Sequence, residues 1–181
     1  MLTLTLRRST RKTSLTHVCA LEKRVIGYNG SLGWGFPAAL GAKVANPDRV
    51  VVSVNGDGGF LFQCSDLATA AQFDIALIVC VFNNGAYGNV KRDQKLNYSG
   101  HSIGVDLTNP DFLLLAKAFG VDGYKANDAE EFRVALKEAV GKGRPALIDI
   151  DLAPGCETSA WAVIAQSPIT PGHSCAIFPS N

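Results

Sequence analysis

The chain has 181 residues, of which 47% are hydrophobic and 18% are charged, and its net charge at pH 7 is +1. This length suits one α/β domain with a sizeable core, and the composition is that of an ordinary globular protein. A net charge so close to zero gives no global field that attracts nucleic acid or an anionic membrane, so we expect neither partner. No apolar run reaches the roughly eighteen residues needed to span a bilayer.

The cysteines and the two ends of the chain bear on localisation and domain organisation. The five cysteines form no CxxC pair and no metal-ligand spacing, which predicts a reducing, cytoplasmic compartment without disulfides. Residues 1–26 are atypically basic, which fits either an organelle transit peptide or a frayed or spurious segment before a truncated domain. We place the folded domain at residues 27–161, and residues 162–181, rich in Pro and Ser, are predicted to be a tail.

The first half of the folded region alternates helical patterns with short apolar runs. Residues 37–45 predict a short helix that begins near Pro37 and is closed by Pro47. Residues 49–54 and 76–82 are continuous apolar runs, typical of fully buried strands. A helix is predicted between them from Gln63 or Ser65 to about Asp74, and residues 89–96 predict a polar helix.

The second half predicts two amphipathic helices and two more strands. Asn109-Pro110-Asp111 starts a helix that Gly120 ends, and Asp128 with Glu131 resembles a capping box at the start of the next. Residues 121–126 and 145–152 predict strands. The apolar stripes of the two helices share the 3, 4, 7 spacing: Phe112, Leu115, Ala116, Phe119, then Phe132, Ala135, Leu136, Ala139. This order predicts an α/β fold, an open and mostly parallel sheet with helices on both faces.

Polar side chains and glycines follow the first two predicted strands. Gly56-Asp57-Gly58 comes directly after one strand, and Asn83-Asn84 follows the next. The carboxyl ends of parallel strands share one edge of a sheet, where ligands of open α/β sheets bind. An Asp and an Asn supply the hard oxygen ligands that Mg²⁺ accepts, and glycines let backbone N–H groups approach a phosphate. The pattern therefore indicates a metal-bridged diphosphate.

Two other interpretations of the same glycines were considered. Gly56 to Leu61 half-matches the dinucleotide motif GxGxxG, but Leu61 stands in place of the third glycine and the acidic residue expected after the next strand is missing. A Walker A motif is absent from the sequence. Alternatively, residues 56–59 form only a tight strand-to-helix turn and Asn83-Asn84 caps the next helix. Each motif taken alone favours this structural reading, whereas their joint occurrence at one sheet edge favours a site.

The combination of motifs resembles a known family. Gly56-Asp57-Gly58, followed after about two dozen residues by Asn83-Asn84, is similar to the thiamine diphosphate fingerprint. Residues 30–42 look like the cofactor-wrapping segment of acetolactate synthase-like and pyruvate decarboxylase-like enzymes. The resemblance extends from about residue 27 to residue 161. It implies the C-terminal thiamine-diphosphate-binding domain of such an enzyme, with a part missing at its N-terminus.

The resemblance also implies the site residues. Asp57, the Asn84 side chain and the carbonyl of Ala86 would bind Mg²⁺, while the N–H groups of Gly58 and Gly59 would face the diphosphate. Other positions would hold the thiamine rings: Leu32 beneath the bent cofactor, the Gly30 carbonyl and Leu32 N–H at the aminopyrimidine edge, and Val90 against that ring. The full cofactor-binding set is Gly30, Ser31, Leu32, Gly56, Asp57, Gly58, Gly59, Asn84, Ala86, Tyr87, Gly88 and Val90.

The function implied is that of a cofactor-binding part of a 2-oxo-acid decarboxylase or carboligase. Such enzymes use an activating glutamate from a pyrimidine-binding domain of the same or another chain, so no catalytic residue is assigned here and the chain alone is expected to be inactive. The complete enzyme is expected to be a homo-oligomer acting on a small 2-oxo acid. Two alternatives stay open: one subunit of a naturally split enzyme, or a truncated, non-catalytic cofactor-binding or interaction module.

The substrate is not fixed by the sequence. True acetolactate synthases have Met at the position of Asn89 and Trp at the position of Asp93, so the chain departs from them at both. Tyr87, Lys91 and Arg92 are candidates for contact with a substrate carboxylate, although a solvated helix face explains the two charges equally well. His101 is a weaker candidate, because a lone loop histidine is more often simply exposed.

Overall fold

The computed structural model describes residues 31–152 and, in addition, the backbone of two strands near the N-terminus. The strands are β1 (Leu2–Arg7), β2 (Arg24–Ile26), β3 (Arg49–Gly56), β4 (Leu77–Asn83), β5 (Asp122–Ala126) and β6 (Ala146–Asp151). The helices are α1 (Gly35–Ala45), α2 (Asp57–Leu61), α3 (Leu67–Gln72), α4 (Gly88–Asn97), α5 (Phe112–Ala118) and α6 (Ala129–Lys142). The proposed tail and most of the basic N-terminal segment lie outside the described residues.

The strands form one sheet in the order β2-β1-β3-β4-β6-β5. The four strands from β3 to β5 are parallel, while β1 and β2 pair antiparallel at one edge. This confirms the open, mostly parallel sheet predicted from the sequence. The pairing of β1 and β2 was not predicted, although Leu2, Leu4 and Leu6 alternate with Thr3 and Thr5 in the pattern of a strand. The basic composition of residues 1–26 had instead indicated an atypical N-terminal segment.

Helices cover both faces of the sheet, as predicted. On one face α1, α2, α3 and α5 pack over β3, β4 and β6 around the buried rings of Phe36, Phe60 and Phe112. On the other face α6 packs its small residues Ala135 and Ala139 against the same strands. The strands are buried from both sides, which explains why they appear in the sequence as continuous apolar runs rather than as alternating patterns. Within the described residues no helix is long and apolar enough to span a membrane.

The helix starts are set by the residues that the sequence indicated. Asp111 Oδ1 accepts the N–H groups of Leu113 and Leu114 at 2.8 and 2.9 Å, and Asp128 caps α6 in the same way. Oε2 of Glu131 accepts the N–H of Asn127 at 2.8 Å, rather than that of Asp128, so the predicted capping box is shifted by one residue. Gly143, in the left-handed region at φ 63°, ends α6 just beyond Lys142.

Two boundaries differ from the prediction, both around the glycine-rich segment. β3 extends to Gly56 because its residues from Val51 to Gly56 pair with β4. The chain then enters α2 directly at Asp57. The helix predicted to begin at Gln63 or Ser65 is preceded by a 3₁₀ turn, Cys64–Asp66, and starts at Leu67. Asp57 therefore stands at the first position of a short helix, and not in a loop.

Candidate functional site

Asp57 and the asparagine pair meet at one edge of the sheet because their strands are neighbours. β3 and β4 run parallel in a register that pairs Gly56 with Phe82. Asp57 therefore leaves β3 beside the point where Asn83 ends β4. Asp57 is an acidic residue, yet it is only 1% exposed. A buried carboxylate at the carboxyl ends of parallel strands is the central feature of this site.

Both oxygens of the Asp57 carboxylate have hydrogen-bond partners. Oδ1 accepts the N–H of Gly58 at 2.9 Å, and Oδ2 accepts Nδ2 of Asn109 at 2.7 Å. The second hydrogen of the same Asn109 nitrogen goes to Oδ1 of Asn83, at 2.9 Å. Asn109, which lies just before α5, thus joins the ends of β3 and β4. This residue was absent from the predicted site.

The polar contacts continue across the sheet edge to a cluster of charges. Nδ2 of Asn83 donates to Oδ1 of Asp149 at 3.3 Å. Oδ2 of Asp149 accepts Lys125 Nζ at 2.7 Å, and the same ammonium reaches Asp151 at 2.5 Å. Partial burial alone would lower the pKa of Lys125, but its bonds to the two carboxylates outweigh this effect and raise the pKa. Lys125 is therefore held as a cation against the buried Asp149.

The loop after β4 is fixed by its own backbone and by residues 105–107. Oδ1 of Asn84 accepts the N–H of Ala86 at 3.2 Å, and the Ala86 carbonyl accepts the N–H of Gly88 at 2.9 Å. Antiparallel bonds from Tyr87 N–H to the Val105 carbonyl and from Leu107 N–H to the Gly85 carbonyl, each 2.8 Å, clamp the loop. The residue that caps α4 is Tyr87, so the interpretation of Asn83-Asn84 as a helix cap is wrong.

The three predicted cofactor glycines next to Asp57 differ in their surroundings. A Cβ on Gly58 would lie 2.5 and 2.7 Å from two ring carbons of Tyr87, so the ring packs directly on this glycine. A Cβ on Gly59 would meet only the Leu32 side chain, at 3.8 Å, and one on Gly56 would meet nothing within 4 Å. Gly58 is therefore required by packing, whereas Gly56 and Gly59 border open space.

The remaining predicted residues lie around this edge. Leu32 and Val90 are 49% and 50% exposed. Ser31 is exposed, and Gly30 lies outside the described residues. Among the substrate candidates, Lys91 forms an ion pair with Asp106, Tyr87 and Arg92 are half-buried, and His101 is exposed.

A separate depression of about 740 Å³ lies at the amino ends of the strands, where β3 begins. Lys43 Nζ, which lines it, donates to the carbonyls of Pro47 and Arg49 at 2.7 Å each and so binds the chain itself. Ligands of open α/β sheets bind beyond the carboxyl ends of the strands, and this depression is at the other end. We therefore place the candidate site at Asp57.

Sequence reasoning missed Asn109 for an identifiable reason. Its position before Pro110 and Asp111 is explained by the start of a helix, which hid its contact with Asp57, 52 residues away. Asn83 was noticed only as half of a motif, and Asp149 only as a strand residue. The available signal was Asp149 itself, which stands between Ile148 and Ile150 in a buried strand, because a buried charge requires a partner.

Comparisons with known proteins identify the family that the chain resembles. Residues 13–150 match the model of the "Thiamine pyrophosphate enzyme, C-terminal TPP binding domain" family, thiamine pyrophosphate being the same compound as thiamine diphosphate. The chain is 42% identical over 126 residues to a probable acetolactate synthase large subunit of Methanocaldococcus jannaschii, covering 69% of the chain and 21% of the relative. A probable 2-ketoarginine decarboxylase of Pseudomonas aeruginosa is 39% identical over 125 residues, covering 68% of the chain and 22% of the relative.

A solved structure is similar as well. A thiamine diphosphate-dependent 4-hydroxybenzoylformate decarboxylase of Rhodococcus jostii superimposes with a TM-score of 0.63 at 38% identity, covering 66% of this chain and 23% of that one. The chain spans only about a fifth of the length of the curated relatives it matches. The family match nevertheless covers well over half of the chain, so the protein belongs to the thiamine pyrophosphate enzyme family and contains its C-terminal, cofactor-binding domain.

Proposed function

We propose that the chain binds thiamine diphosphate through Mg²⁺, as the cofactor-binding part of an acetolactate synthase-like 2-oxo-acid decarboxylase or carboligase. Within this proposal Asp57, Asn84 and the Ala86 carbonyl hold the cation, and Gly59, which borders open space, lies nearest the diphosphate. Gly58 was expected to face the diphosphate as well, but its N–H donates to Asp57 and the Tyr87 ring covers it. The observation that carries the proposal is the buried Asp57 carboxylate at the shared end of β3 and β4.

The charge balance around Asp57 favours a bound cation. A buried carboxylate is strongly destabilised unless a positive charge or hydrogen bonds compensate it. In the part of the chain that the structure describes, Asp57 forms no ion pair with a lysine or an arginine. The oxygens proposed around the cation come from a carboxylate, an amide and a backbone carbonyl, the ligand chemistry that Mg²⁺ prefers. These residues therefore fit a Mg²⁺ site.

One buried atom of the site also fits hydrated Mg²⁺. Oδ1 of Asn109 is buried and has no hydrogen-bond partner within the described residues, while Nδ2 of the same amide donates to Asp57. Leaving a buried acceptor unpaired costs about 1–3 kcal/mol. Mg²⁺ in proteins usually keeps several water molecules, which are donors. A water on the cation would satisfy this oxygen.

We further propose that the activating glutamate comes from a pyrimidine-binding partner domain. Within the described range all glutamates (Glu130, Glu131 and Glu138) lie on α6, and they are exposed. Helix α6 packs on the sheet face opposite α1 and α2. A glutamate for the cofactor is thus not supplied by this part of the chain. The exposed Leu32 and Val90 are apolar surfaces that the cofactor and such a domain would cover.

When bound, the cofactor supplies a carbon nucleophile and an electron sink for the 2-oxo acid. The roles of the chain's own residues are binding and orientation. Asp57 and Asn84 fix the cation, Leu32 and Val90 exclude water from the rings, and Arg92 is available for a substrate carboxylate. Lys91 is less available because it already pairs with Asp106.

Calorimetric titration of the whole chain with thiamine diphosphate, with and without Mg²⁺, tests the cofactor proposal. We expect binding only with Mg²⁺, and at least a tenfold loss in Asp57→Asn, since that change keeps the shape but removes the ligand charge. Asp48→Asn is the matched control, because Asp48 is exposed at the opposite end of β3. Equal binding by Asp57→Asn, or tight binding of NAD instead, would refute the assignment.

A second experiment tests the need for a partner domain. We expect the purified chain, saturated with thiamine diphosphate and Mg²⁺, to release no carbon dioxide from pyruvate or from aromatic 2-oxo acids. Addition of a pyrimidine-binding domain that carries the glutamate is expected to restore decarboxylation. Turnover by the chain alone would show that the described domain, with the rest of this chain, is sufficient.

A further inference from the structure

We propose that Asn109 is a positioning residue that holds the Asp57 carboxylate in the orientation Mg²⁺ requires, and that Asp149 and Lys125 set the direction of this amide through Asn83. The inference rests on the proposed function, because it assigns a task within the same cation site. Asn109 does not contact the cation in this scheme; it acts through Asp57.

The hydrogen bonds run from Asp149 through the amides of Asn83 and Asn109 to Asp57. The carboxylates at the two ends of this series determine which way each amide is turned. An ionised carboxylate only accepts hydrogen bonds, whereas an asparagine has one donating and one accepting end. Asp149 therefore faces the nitrogen of Asn83, at 3.3 Å, and leaves the oxygen of Asn83 for Asn109. Asn109 must in turn present its nitrogen, which serves Asn83 and Asp57 together. No other assignment of the two amides satisfies both carboxylates.

Lys125 keeps this arrangement in place. Its ammonium donates to Oδ2 of Asp149 at 2.7 Å and to Asp151 at 2.5 Å, so Oδ1 of Asp149 is the oxygen that accepts Asn83. The ion pair thus fixes the donor-to-acceptor direction of the series of hydrogen bonds that leads from Asp149 to Asp57.

The packing beneath the site holds Asn109 and Asp57 at a constant separation. Phe60 lies on α2 three residues after Asp57, and Phe112 is the first residue of α5, three residues after Asn109. The two rings are fully buried and meet edge to face, with centroids 5.8 Å apart. This aromatic contact ties the helix that carries Asp57 to the segment that carries Asn109. The 2.7 Å hydrogen bond is therefore preorganised.

Such a positioned carboxylate matters more for Mg²⁺ than for larger cations. Mg²⁺ demands near-ideal octahedral geometry, whereas Ca²⁺ accepts six to eight oxygens in flexible arrangements. Residues that orient a metal ligand typically contribute about 10- to 100-fold to metal affinity. Loss of Asn109 would therefore weaken Mg²⁺ more than Ca²⁺. A residue that only stabilises the fold would affect both cations alike.

The test uses the full chain and titrates thiamine diphosphate and inorganic diphosphate in the presence of Mg²⁺ or Ca²⁺. We expect Asn109→Ala and the similarly sized Asn109→Leu to weaken Mg²⁺-dependent binding about 10- to 100-fold, with a smaller loss for Ca²⁺. Asn97→Ala is the matched control, since Asn97 also donates to an aspartate, Asp93, at 2.8 Å but is exposed at the far end of α4. Circular dichroism establishes that each variant is folded before titration.

A double-mutant cycle tests whether Asp149 acts on the cation site through Asn83 and Asn109. Asp149→Asn alone is expected to weaken Mg²⁺-dependent binding less than Asn109→Ala does. In combination the two changes should cost less than the product of their separate effects, because they break one connected chain. Multiplicative effects would overturn the link to Asp149.

The outcomes separate this inference from the proposed function. If Asp57→Asn abolishes binding while both Asn109 variants bind as wild type, the function stands and the inference is wrong. Equal losses for Mg²⁺ and Ca²⁺ in the Asn109 variants would likewise overturn positioning. If wild type binds neither diphosphate with either cation, the proposed function fails and the inference fails with it.

Discussion

The contact between Tyr87 and Gly58 makes a sharp prediction about stability. In Gly58→Ala the new methyl group would lie 2.5 and 2.7 Å from ring carbons of Tyr87 and 3.1 Å from the Leu107 side chain. The Tyr87 backbone is bound to Val105 at 2.8 Å, so the ring can yield only by rotating about its own side-chain bonds out of its present packing. Overpacking of this kind costs about 1–3 kcal/mol.

Gly59→Ala supplies the matched control, because Gly59 follows Gly58 in the same helix. Its Cβ would meet only Leu32, at the ordinary contact distance of 3.8 Å. Both substitutions gain the same helix preference, about 0.5–1 kcal/mol for Gly to Ala. Their difference therefore isolates the clash, and we expect Gly58→Ala to be less stable than Gly59→Ala by about 1–3 kcal/mol.

Urea unfolding at 25 °C and thermal scans measure this difference. For a chain of this size 1 kcal/mol corresponds to roughly 2–4 °C in Tm, so the two variants should differ by roughly 2–12 °C. Tyr87→Ala should recover part of the loss when it is combined with Gly58→Ala, because it removes the ring that the methyl group strikes. Equal stability of the two alanine variants, or strict additivity in the cycle, would refute the packing argument.

Two further predictions concern groups away from the glycines. Burial raises the pKa of the Cys80 thiol to about 12, so as pH rises the thiol of the unfolded chain ionises first. The free energy of unfolding should therefore fall between about pH 9 and about pH 12. Cys80→Ala should flatten this pH dependence in urea titrations, and an unchanged slope would contradict the argument. Lys125→Met should destabilise the fold by about 1–3 kcal/mol, because it leaves the buried Asp149 without its charged partner. Arg133→Ala, which breaks the exposed ion pair with Glu130, is the control. It should change the free energy of unfolding by less than about 0.5 kcal/mol in the same assay.

The parts of the fold that sequence reasoning predicted are those fixed by local patterns. Strands β3 and β4 are buried on both faces, so their apolar runs were unambiguous. Asp111 and Asp128 lie within three residues of the N–H groups they cap, so the helix starts were visible as well. The placement of Asp57 and Asn84 at one edge required only the rule that consecutive βαβ strands run parallel.

The parts that were missed depend on distant residues. The extension of β3 to Gly56 follows from its pairing with β4, and the start of α2 at Asp57 follows from that extension. Asn109 meets Asp57 across 52 residues, and no periodicity reports such a contact. The position of β6 between β4 and β5 also had no local signal. Long-range register is set by the whole sheet, so it cannot be derived from one segment.

The site also shows how closely binding is tied to folding in this domain. Asp57, Asn83, Asp149 and Lys125 each come from the end of a different strand or from the residue just beyond it, and Asn109 joins them from the start of a helix. The chain of contacts therefore exists only when the strand order β3-β4-β6-β5 has formed. A cation that binds Asp57 in this arrangement has no equivalent site in the unfolded chain, so it stabilises the folded state by mass action. These polar groups are costly to bury in the free protein. A bound ligand would stabilise the fold through the same groups.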